Sequence, residues 1–439
     1  MKYLESLFRL GENETTLRKE CLGGLTSFAA MAYILAVNPS ILAAAGMDAG
    51  ALVTVTALSS ALGCFLMAAL ANYPIAMAPG MGMNAFFAFT VCQGMGVPWQ
   101  GALGIVFWNG LLFLGLTFSG VREKVVDCVP GGIKLGVQAG IGLFIAFIGL
   151  RNAGVIVDNP ATLVGLGNMH APASWLALAG MGGTAILVVR GVPGGILLAI
   201  LSVSLVACFV PGSEGKVAQL PVQIFSMPHS PVGTSFAIDW SYPFSHFREA
   251  WPLIFAFLFV DLFDSLGTLL GVSRSAGLLD SEGRLPRMNR ALLADAGATV
   301  GGALLGTSPV TSYVESAAGV KAGGRTGLTS VVVGCCFLLA LFASPLILAL
   351  PPLATGAALV VIGLSMVEGM RHLAYDDLGE FLPAVLTMLA MPLSFSISDG
   401  IALGFLSYVI LQVGTGGAKK VKPLTYVVTL LFGLRYLFL

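Results

Sequence analysis

The 439-residue sequence contains few charged residues for its length. Asp, Glu, Lys and Arg together make up 10% of the chain, against about 25% in soluble domains. The 22 basic and 22 acidic residues cancel, which leaves no net positive charge to bind nucleic acid. Because 56% of the residues are hydrophobic and the mean hydropathy is +0.91, the composition predicts a polytopic membrane protein.

Sequence signs of enzyme chemistry are also missing. The seven cysteines show neither metal-binding nor redox spacing, and no Ser/His/Asp set or nucleotide-binding loop is present. We therefore expect neither an enzyme nor a bound cofactor. Charged and apolar residues alternate over residues 1–20, which indicates an amphipathic segment at the membrane surface rather than a cleavable signal peptide.

Long apolar runs fill most of the remaining chain. A membrane-crossing helix needs about 20 apolar residues, and on this rule the sequence predicts fourteen spans. Spans 1 to 7 cover 22–45, 52–71, 74–92, 99–119, 131–150, 174–190 and 194–211. Spans 8 to 14 cover 250–271, 290–306, 308–320, 326–349, 353–370, 381–396 and 398–413. Spans 3 and 10 are short and contain Pro and Gly, which predicts helices broken at the membrane midplane. Residues 424–439 are predicted to form an interfacial or loosely inserted tail.

The distribution of basic residues sets the predicted orientation. With the N-terminus inside, most of the 22 basic residues fall on the inner side of the membrane. This arrangement predicts a multi-pass protein of the cell membrane, the inner or plasma membrane, with a cytoplasmic N-terminus.

The two halves of the sequence resemble each other. PGGILLAILS at 193–202 aligns with SDGIALGFLS at 398–407, and APGMGMNAFFA occupies the place in the first half that SPVTSYVESAA has in the second. Because seven spans is an odd number, the second copy must be inserted upside down. The predicted fold is therefore an all-α polytopic membrane protein of 14 transmembrane spans in two inverted seven-span repeats.

Two carboxylates lie inside one apolar run. Asp261 and Asp264 in FAFLFVDLFDSLGTLLGV are one helical turn apart, so they are expected to share a face. A charged Asp at the bilayer centre costs about 2.5–3.5 kcal/mol, and no Lys or Arg lies in the same run to offset it. Both acids are therefore candidate functional residues.

The broken spans add further candidates. Span 3 contributes Asn84 and span 10 contributes Glu315, and their neighbours complete the predicted substrate site. Ala85, Phe86 and Phe87 follow Asn84, Tyr313 and Ser316 flank Glu315, and Phe28 of span 1 completes the predicted set. Carboxylates accept N–H bonds, an amide both donates and accepts, and aromatic rings stack. Without a cation in these spans, the set favours an uncharged planar heterocycle, with Asp264 and Glu315 available to carry a proton.

Four strings carry a family resemblance. GLTSFAAMAYILAVNPSIL, APGMGMNAFFAFTV, DLFDSLGTL and TSPVTSYVESAAGV resemble the AzgA-like adenine/guanine/hypoxanthine permeases, nucleobase–cation symporters with a uracil-permease-like fold. The resemblance implies proton-coupled import of purine nucleobases by alternating access, usually as a homodimer. It assigns Asn84, Asp261 and Glu315 to purine binding and Asp264 to proton-linked translocation.

The resemblance also implies a core of spans 1–4 and 8–11 that moves against a gate of spans 5–7 and 12–14. The predicted divisions are 1–21 N-terminal segment, 22–120 and 250–349 core, 121–211 and 350–413 gate, 212–249 extracytoplasmic loop and 414–439 basic linker and tail. Two carriers of the same architecture stay open as alternatives, one for xanthine or uracil and one for anions. A channel or membrane enzyme is the third class to be excluded.

Overall fold

The computed structural model describes residues 2–119, 129–212, 215–221, 223–280 and 284–438. Within these ranges, nine helices are long and apolar enough to cross a membrane by length and composition. Shorter helices and two broken segments occupy the other predicted spans, so the prediction of a multi-pass, all-helical chain is confirmed. The predicted boundary between residues 120 and 121 lies outside the described ranges.

Helices form in both halves of the chain. Spans 1 to 7 contain Leu17–Met31 with Ile34–Leu42, Ala49–Leu66, Met81–Ala85 with Phe86–Gly94, Trp99–Ser119, Gly131–Asn152, Pro172–Val189 and Gly195–Ala207. Spans 8 to 14 contain Phe247–Ala276, Met288–Leu305, Ser316–Lys321, Gly327–Ala340 with Ser344–Leu348, Pro352–Met366, Leu378–Ser394 and Ile397–Gly414. The helices Lys2–Leu7, Tyr242–Ser245 and Pro423–Phe438 lie outside the spans.

Short strands lie between these helices. In chain order they are β1 (Met77–Pro79), β2 (Ile156–Asn159), β3 (Leu163–Leu166), β4 (Pro211–Gly212), β5 (Gly215–Lys216) and β6 (Val310–Ser312). β2 pairs with β3 and β4 pairs with β5 as hairpins, whereas β1 pairs with the distant β6.

Local residue chemistry explains several helix ends. Asp48 caps span 2 by accepting a hydrogen bond from the Ala51 amide at 2.7 Å, and Thr326 caps span 11. Gly277 ends span 8 with a φ of 67°, a conformation that glycine adopts without strain. Span 1 is interrupted at Ala32 and Tyr33, between its two helical pieces.

The two broken spans meet through β1 and β6. The strands are antiparallel, with Met77 opposite Ser312 and Pro79 opposite Val310. At one end, the Gly80 amide donates to the Pro309 carbonyl at 2.9 Å. Because the strands satisfy backbone groups that the broken helices leave unpaired, irregular backbone is tolerated here at membrane depth.

Spans 5 and 12 pack together through glycine. A methyl group added to Gly142 would lie 2.4 Å from the Gly363 carbonyl oxygen, and one added to Gly363 would lie 2.3 Å from the Gly142 oxygen. The pair Gly149 and Gly356 repeats this contact two turns further along, at 2.7 Å in both directions. Such small-residue contacts let two membrane helices approach backbone to backbone. The reciprocal contact joins the fifth span of each half, as expected for an inverted repeat.

The outer faces of several spans are apolar. Val189 on span 6 is 87% exposed, and Leu339 on span 11 and Leu393 on span 13 are also exposed. These side chains are suited to contact lipid. The predicted tail forms a continuous helix that packs on span 14, where the rings of Phe432 and Phe405 lie 5.9 Å apart.

Candidate functional site

A cavity of ≈ 850 Å³ separates the spans predicted for the core from those predicted for the gate. The core wall comes from the two strand-to-helix breaks and from span 8. The gate wall comes from span 5, from span 12 and from the turn after span 12. Core residues on the wall include Gly80, Met81, Phe263, Asp264, Thr268, Tyr313 and Glu315. Gate residues on the wall include Lys134, Gln138, Ile141, Ile362, Ser365, Met366, Arg371 and His372.

Asp264 is exposed on the cavity wall. Within the described part of the chain its carboxyl group makes no hydrogen bond and no ion pair. This is unusual for an acid held between apolar helices, because such groups are normally paired. The free carboxyl group can therefore bind a proton or a ligand N–H without first breaking a protein contact.

Asp261 lies one turn before Asp264 but is fully buried and off the cavity wall. One of its oxygens, Oδ2, accepts hydrogen bonds from Asn109 Nδ2 and Thr299 Oγ1, both at 3.3 Å. The other oxygen, Oδ1, has no partner among the described residues. The two acids that the sequence placed on one face therefore occupy different surroundings, and only Asp264 reaches the cavity.

Glu315 begins the helical part of span 10 and is half-buried on the cavity wall. Its Oε1 accepts a hydrogen bond from the hydroxyl of Tyr33 in the interruption of span 1. Tyr313 also lines the cavity, and its hydroxyl donates to the Pro79 carbonyl at 2.6 Å. Ser316 lies behind the wall, where its hydroxyl oxygen accepts from the Ala76 amide at 2.9 Å.

Asn84 belongs to a buried polar cluster behind the cavity. Its Nδ2 donates to Asn38 Oδ1 at 2.9 Å, and Asn38 Nδ2 in turn donates to Thr56 at 2.7 Å and to Thr307 at 3.1 Å. Asn84 Oδ1 has no hydrogen-bond partner among the described residues. The neighbouring Ala85 is buried as well and does not line the cavity.

The phenylalanines singled out from the sequence pack against other rings. Phe28 makes an edge-to-face contact with Phe337 at 5.2 Å, and Phe86 lies 4.5 Å from Phe257. Phe87 is fully buried. None of these three phenylalanines is on the described cavity wall. Their role in substrate stacking stays a prediction.

Asp295 of span 9 connects three spans. Its carboxylate accepts hydrogen bonds from the Ser265 hydroxyl and, at 3.0 Å each, from the amide and hydroxyl of Ser312. Ser265 follows Asp264 in span 8, and Ser312 ends β6. Asp295 therefore links the two segments of the core wall that carry Asp264 and Glu315.

Comparison with known proteins assigns the chain to a family. The family model Xan_ur_permease, described as a permease family, matches residues 18–403. The chain belongs to this permease family. It is a transporter rather than an enzyme.

Relatives of this permease match over nearly its whole length. It is 43% identical to adenine permease AdeP of Escherichia coli, over 99% of this chain and 96% of that protein. It is 45% identical to guanine/hypoxanthine permease PbuG of Bacillus subtilis, over 99% of this chain and 100% of that protein. The resemblance seen in the four sequence strings is confirmed.

A solved structure of another transporter shows the same fold at low sequence identity. The transmembrane domain of a cyanobacterium bicarbonate transporter, BicA, superposes with a TM-score of 0.67 at 14% identity, covering 88% of this chain and 97% of that chain. At that identity the likeness shows the fold alone, and it agrees with the predicted uracil-permease-like architecture.

Three residues of the permease site were missed from sequence. Lys134 and Gln138 of span 5 lie on the cavity wall, and Tyr33 holds Glu315. Lys134, Gln138 and Ile141 are spaced i, i+4 and i+7, so they share one face of the helix. That spacing is the signal that could have identified the gate wall. Tyr33 gave no such signal, because its partner is 282 positions away in sequence.

Proposed function

We propose that this permease imports the purine nucleobases adenine, guanine and hypoxanthine together with protons. The observation that carries the proposal is the carboxyl group of Asp264, exposed on the cavity wall without a hydrogen bond or ion pair in the described chain. Relatives named for adenine and for guanine/hypoxanthine transport support the substrate class. A carboxyl group in apolar surroundings can load and release a proton in each cycle.

The core wall favours an uncharged ligand with N–H groups. Asp264 and Glu315 supply hydrogen-bond acceptors, and Phe263 and Tyr313 supply aromatic surface. The described core wall carries no Lys or Arg that would attract an anion. The cations that do line the cavity, Lys134 and Arg371, belong to the gate, and Glu368 pairs with Arg371 at 2.6 Å.

Asn84 and Asp261 keep their proposed roles in substrate binding. Each has one buried side-chain oxygen without a hydrogen-bond partner among the described residues. A buried oxygen without a partner is costly, and a substrate N–H or a bridging water can satisfy it. Both residues lie one layer behind the wall, so we propose that the substrate reaches them as the core moves.

The position of the cavity supports the proposal of transport by alternating access. It extends from Asp264 to Arg371 and His372, which are exposed. Excess positive charge marks the cytoplasmic side of a membrane protein, so we propose that this conformation opens inward. Movement of the core against the gate then exposes Asp264 and Glu315 to the outside. We further propose a cytoplasmic N-terminus, a location in the cell membrane and a homodimer.

The experiment is uptake by the purified protein in liposomes with an acidic exterior. We expect labelled adenine, guanine and hypoxanthine to accumulate inside, and a protonophore to abolish this accumulation. Uptake that is indifferent to the protonophore would contradict proton coupling. Competition by xanthine or uracil in place of these purines would favour the same-fold alternative, and competition by sulfate or bicarbonate would favour an anion carrier.

A further inference from the structure

Gln138 presents an unpaired amide to the cavity from the gate side. Its side chain is exposed on the wall of span 5, opposite the core wall that carries Asp264 and Glu315. The amide makes no hydrogen bond to another described residue. A carboxamide has two donor hydrogens and an acceptor oxygen, so an unpaired one at a ligand cavity is available for a ligand.

The surroundings of Gln138 fix its backbone and leave space for its amide. Span 5 packs closely against span 12 through the backbone contact of Gly142 with Gly363, one turn beyond Gln138. Gly369 lies against the amide, because a methyl group added there would come within 3.1 Å of Gln138 Oε1. The absence of a side chain at Gly369 therefore leaves room for the amide at the wall. A group on rigid helices can recognise a ligand with less loss of entropy than one on a loop.

The two walls differ in hydrogen-bonding chemistry. Ionised Asp264 and Glu315 only accept hydrogen bonds, so they fit the ring N–H that every purine nucleobase carries. The opposite edge of the purine varies. Adenine has a 6-amino donor beside an N1 acceptor, whereas hypoxanthine and guanine have a 6-oxo acceptor beside an N1–H donor. An amide can pair with either arrangement by turning over, which neither a carboxylate nor an ammonium group can do.

We propose that Gln138 is the specificity-determining residue for the N1/C6 edge of the purine, a role that rests on the proposed nucleobase transport. In the inward-open state the substrate lies between the core acids and the gate amide. Gln138 thereby accepts both 6-amino and 6-oxo purines while rejecting bases that lack a 6-substituent.

The test compares adenine with unsubstituted purine as competitors of labelled hypoxanthine uptake in the reconstituted protein. We expect the wild type to prefer adenine by about tenfold or more, since a site built to hydrogen-bond a group rejects the analogue that lacks it. In Gln138→Leu the preference should shrink to about twofold, because the partner of the 6-substituent is gone. Gly369→Ala should shrink it in the same direction by displacing the amide.

Ser365→Ala is the matched control. Ser365 also lies on the gate wall, but its hydroxyl already donates to the Ile362 carbonyl at 2.6 Å. This variant should keep the wild-type preference. A preference for adenine over purine that persists unchanged in Gln138→Leu would overturn the proposal for Gln138, as would its absence in the wild type. If the wild type takes up no purine at all, the proposed function itself is refuted.

Discussion

Tyr33 donates a hydrogen bond to Glu315 across 282 positions of sequence. Tyr33 is fully buried in the interruption of span 1, and Glu315 starts the helix of span 10. The bond occupies Oε1 of the carboxylate. The carboxylate is thereby oriented on the cavity wall. We interpret Tyr33 as a positioning residue for a proposed substrate contact.

Tyr33→Phe removes only this hydroxyl. A hydrogen bond to a charged group contributes about 1.5–3 kcal/mol, so we expect KM for adenine to rise about tenfold or more. The maximal rate should change less, because Asp264 is untouched. Uptake kinetics in liposomes measure both. Tyr375→Phe is the control, since its hydroxyl bonds the Met370 carbonyl at 3.0 Å, away from Glu315. Equal KM values for the two variants would show that Tyr33 does not position Glu315 for substrate binding.

Glu20 lies in the helix Leu17–Met31, and its buried carboxylate contacts the N-terminal end of span 11. It accepts hydrogen bonds from the Arg325 amide at 2.9 Å and from the Thr329 hydroxyl at 2.6 Å, and it is fully buried. Negative charge at a helix N-terminus is favourable, and buried donors without an acceptor are costly. Glu20→Ala should therefore lower stability by about 2 kcal/mol or more.

The thermal midpoint of the purified protein measures this effect. The control is Glu12→Ala, because Glu12 pairs with Arg9 at 3.6 Å where both side chains are exposed, and such pairs contribute little. A similar midpoint for the Glu20 and Glu12 variants would show that the buried carboxylate does not anchor span 11.

Spans and breaks could be predicted from sequence because the bilayer dictates their length and their composition. Asp264, Tyr313 and Glu315 are predicted from sequence as site residues, and all three lie on the cavity wall. They could be predicted because polar groups at membrane depth must face a cavity or a partner. Which side of a helix lines the cavity was harder to predict from sequence. Asp261 and Asp264 are one turn apart, yet packing of spans 4 and 9 covers only Asp261.

Gln138 and Tyr33 were missed from sequence for a related physical reason. Lys134 and Gln138 share one face of span 5, but this spacing alone does not show whether the face lines a cavity or packs on another helix. The contact of Tyr33 with Glu315 depends on two segments from different repeats. The surroundings of both side chains depend on packing between segments that are distant in sequence, and the local residue pattern does not show that packing.

The glycine contact between spans 5 and 12 leaves no space for a side chain. Gly142→Ala would place a carbon 2.4 Å from the Gly363 carbonyl oxygen, so the two helices must separate. We expect lower yield of folded protein and a broader size-exclusion profile. Gly182→Ala on span 6 is the control, because no atom lies within 4 Å of the added methyl group. Normal folding of the Gly142 variant would contradict close packing at this seam.

Replacement of Asp264 by Asn separates substrate binding from proton coupling. The amide is close in shape to the acid but cannot take up a proton, and Asp264 has no hydrogen bond or ion pair in the described chain that the change would break. Asp376→Asn, at an exposed loop residue, serves as the control.

The decisive measurement is labelled hypoxanthine transport by Asp264→Asn in liposomes, as exchange between equal pools and as accumulation under an acid-outside gradient. We expect exchange to persist while accumulation falls to the equilibrium level, because movement of the loaded core continues without its proton. Accumulation by the variant that matches the wild type, with the same dependence on the pH gradient, would contradict a proton-carrying role for Asp264.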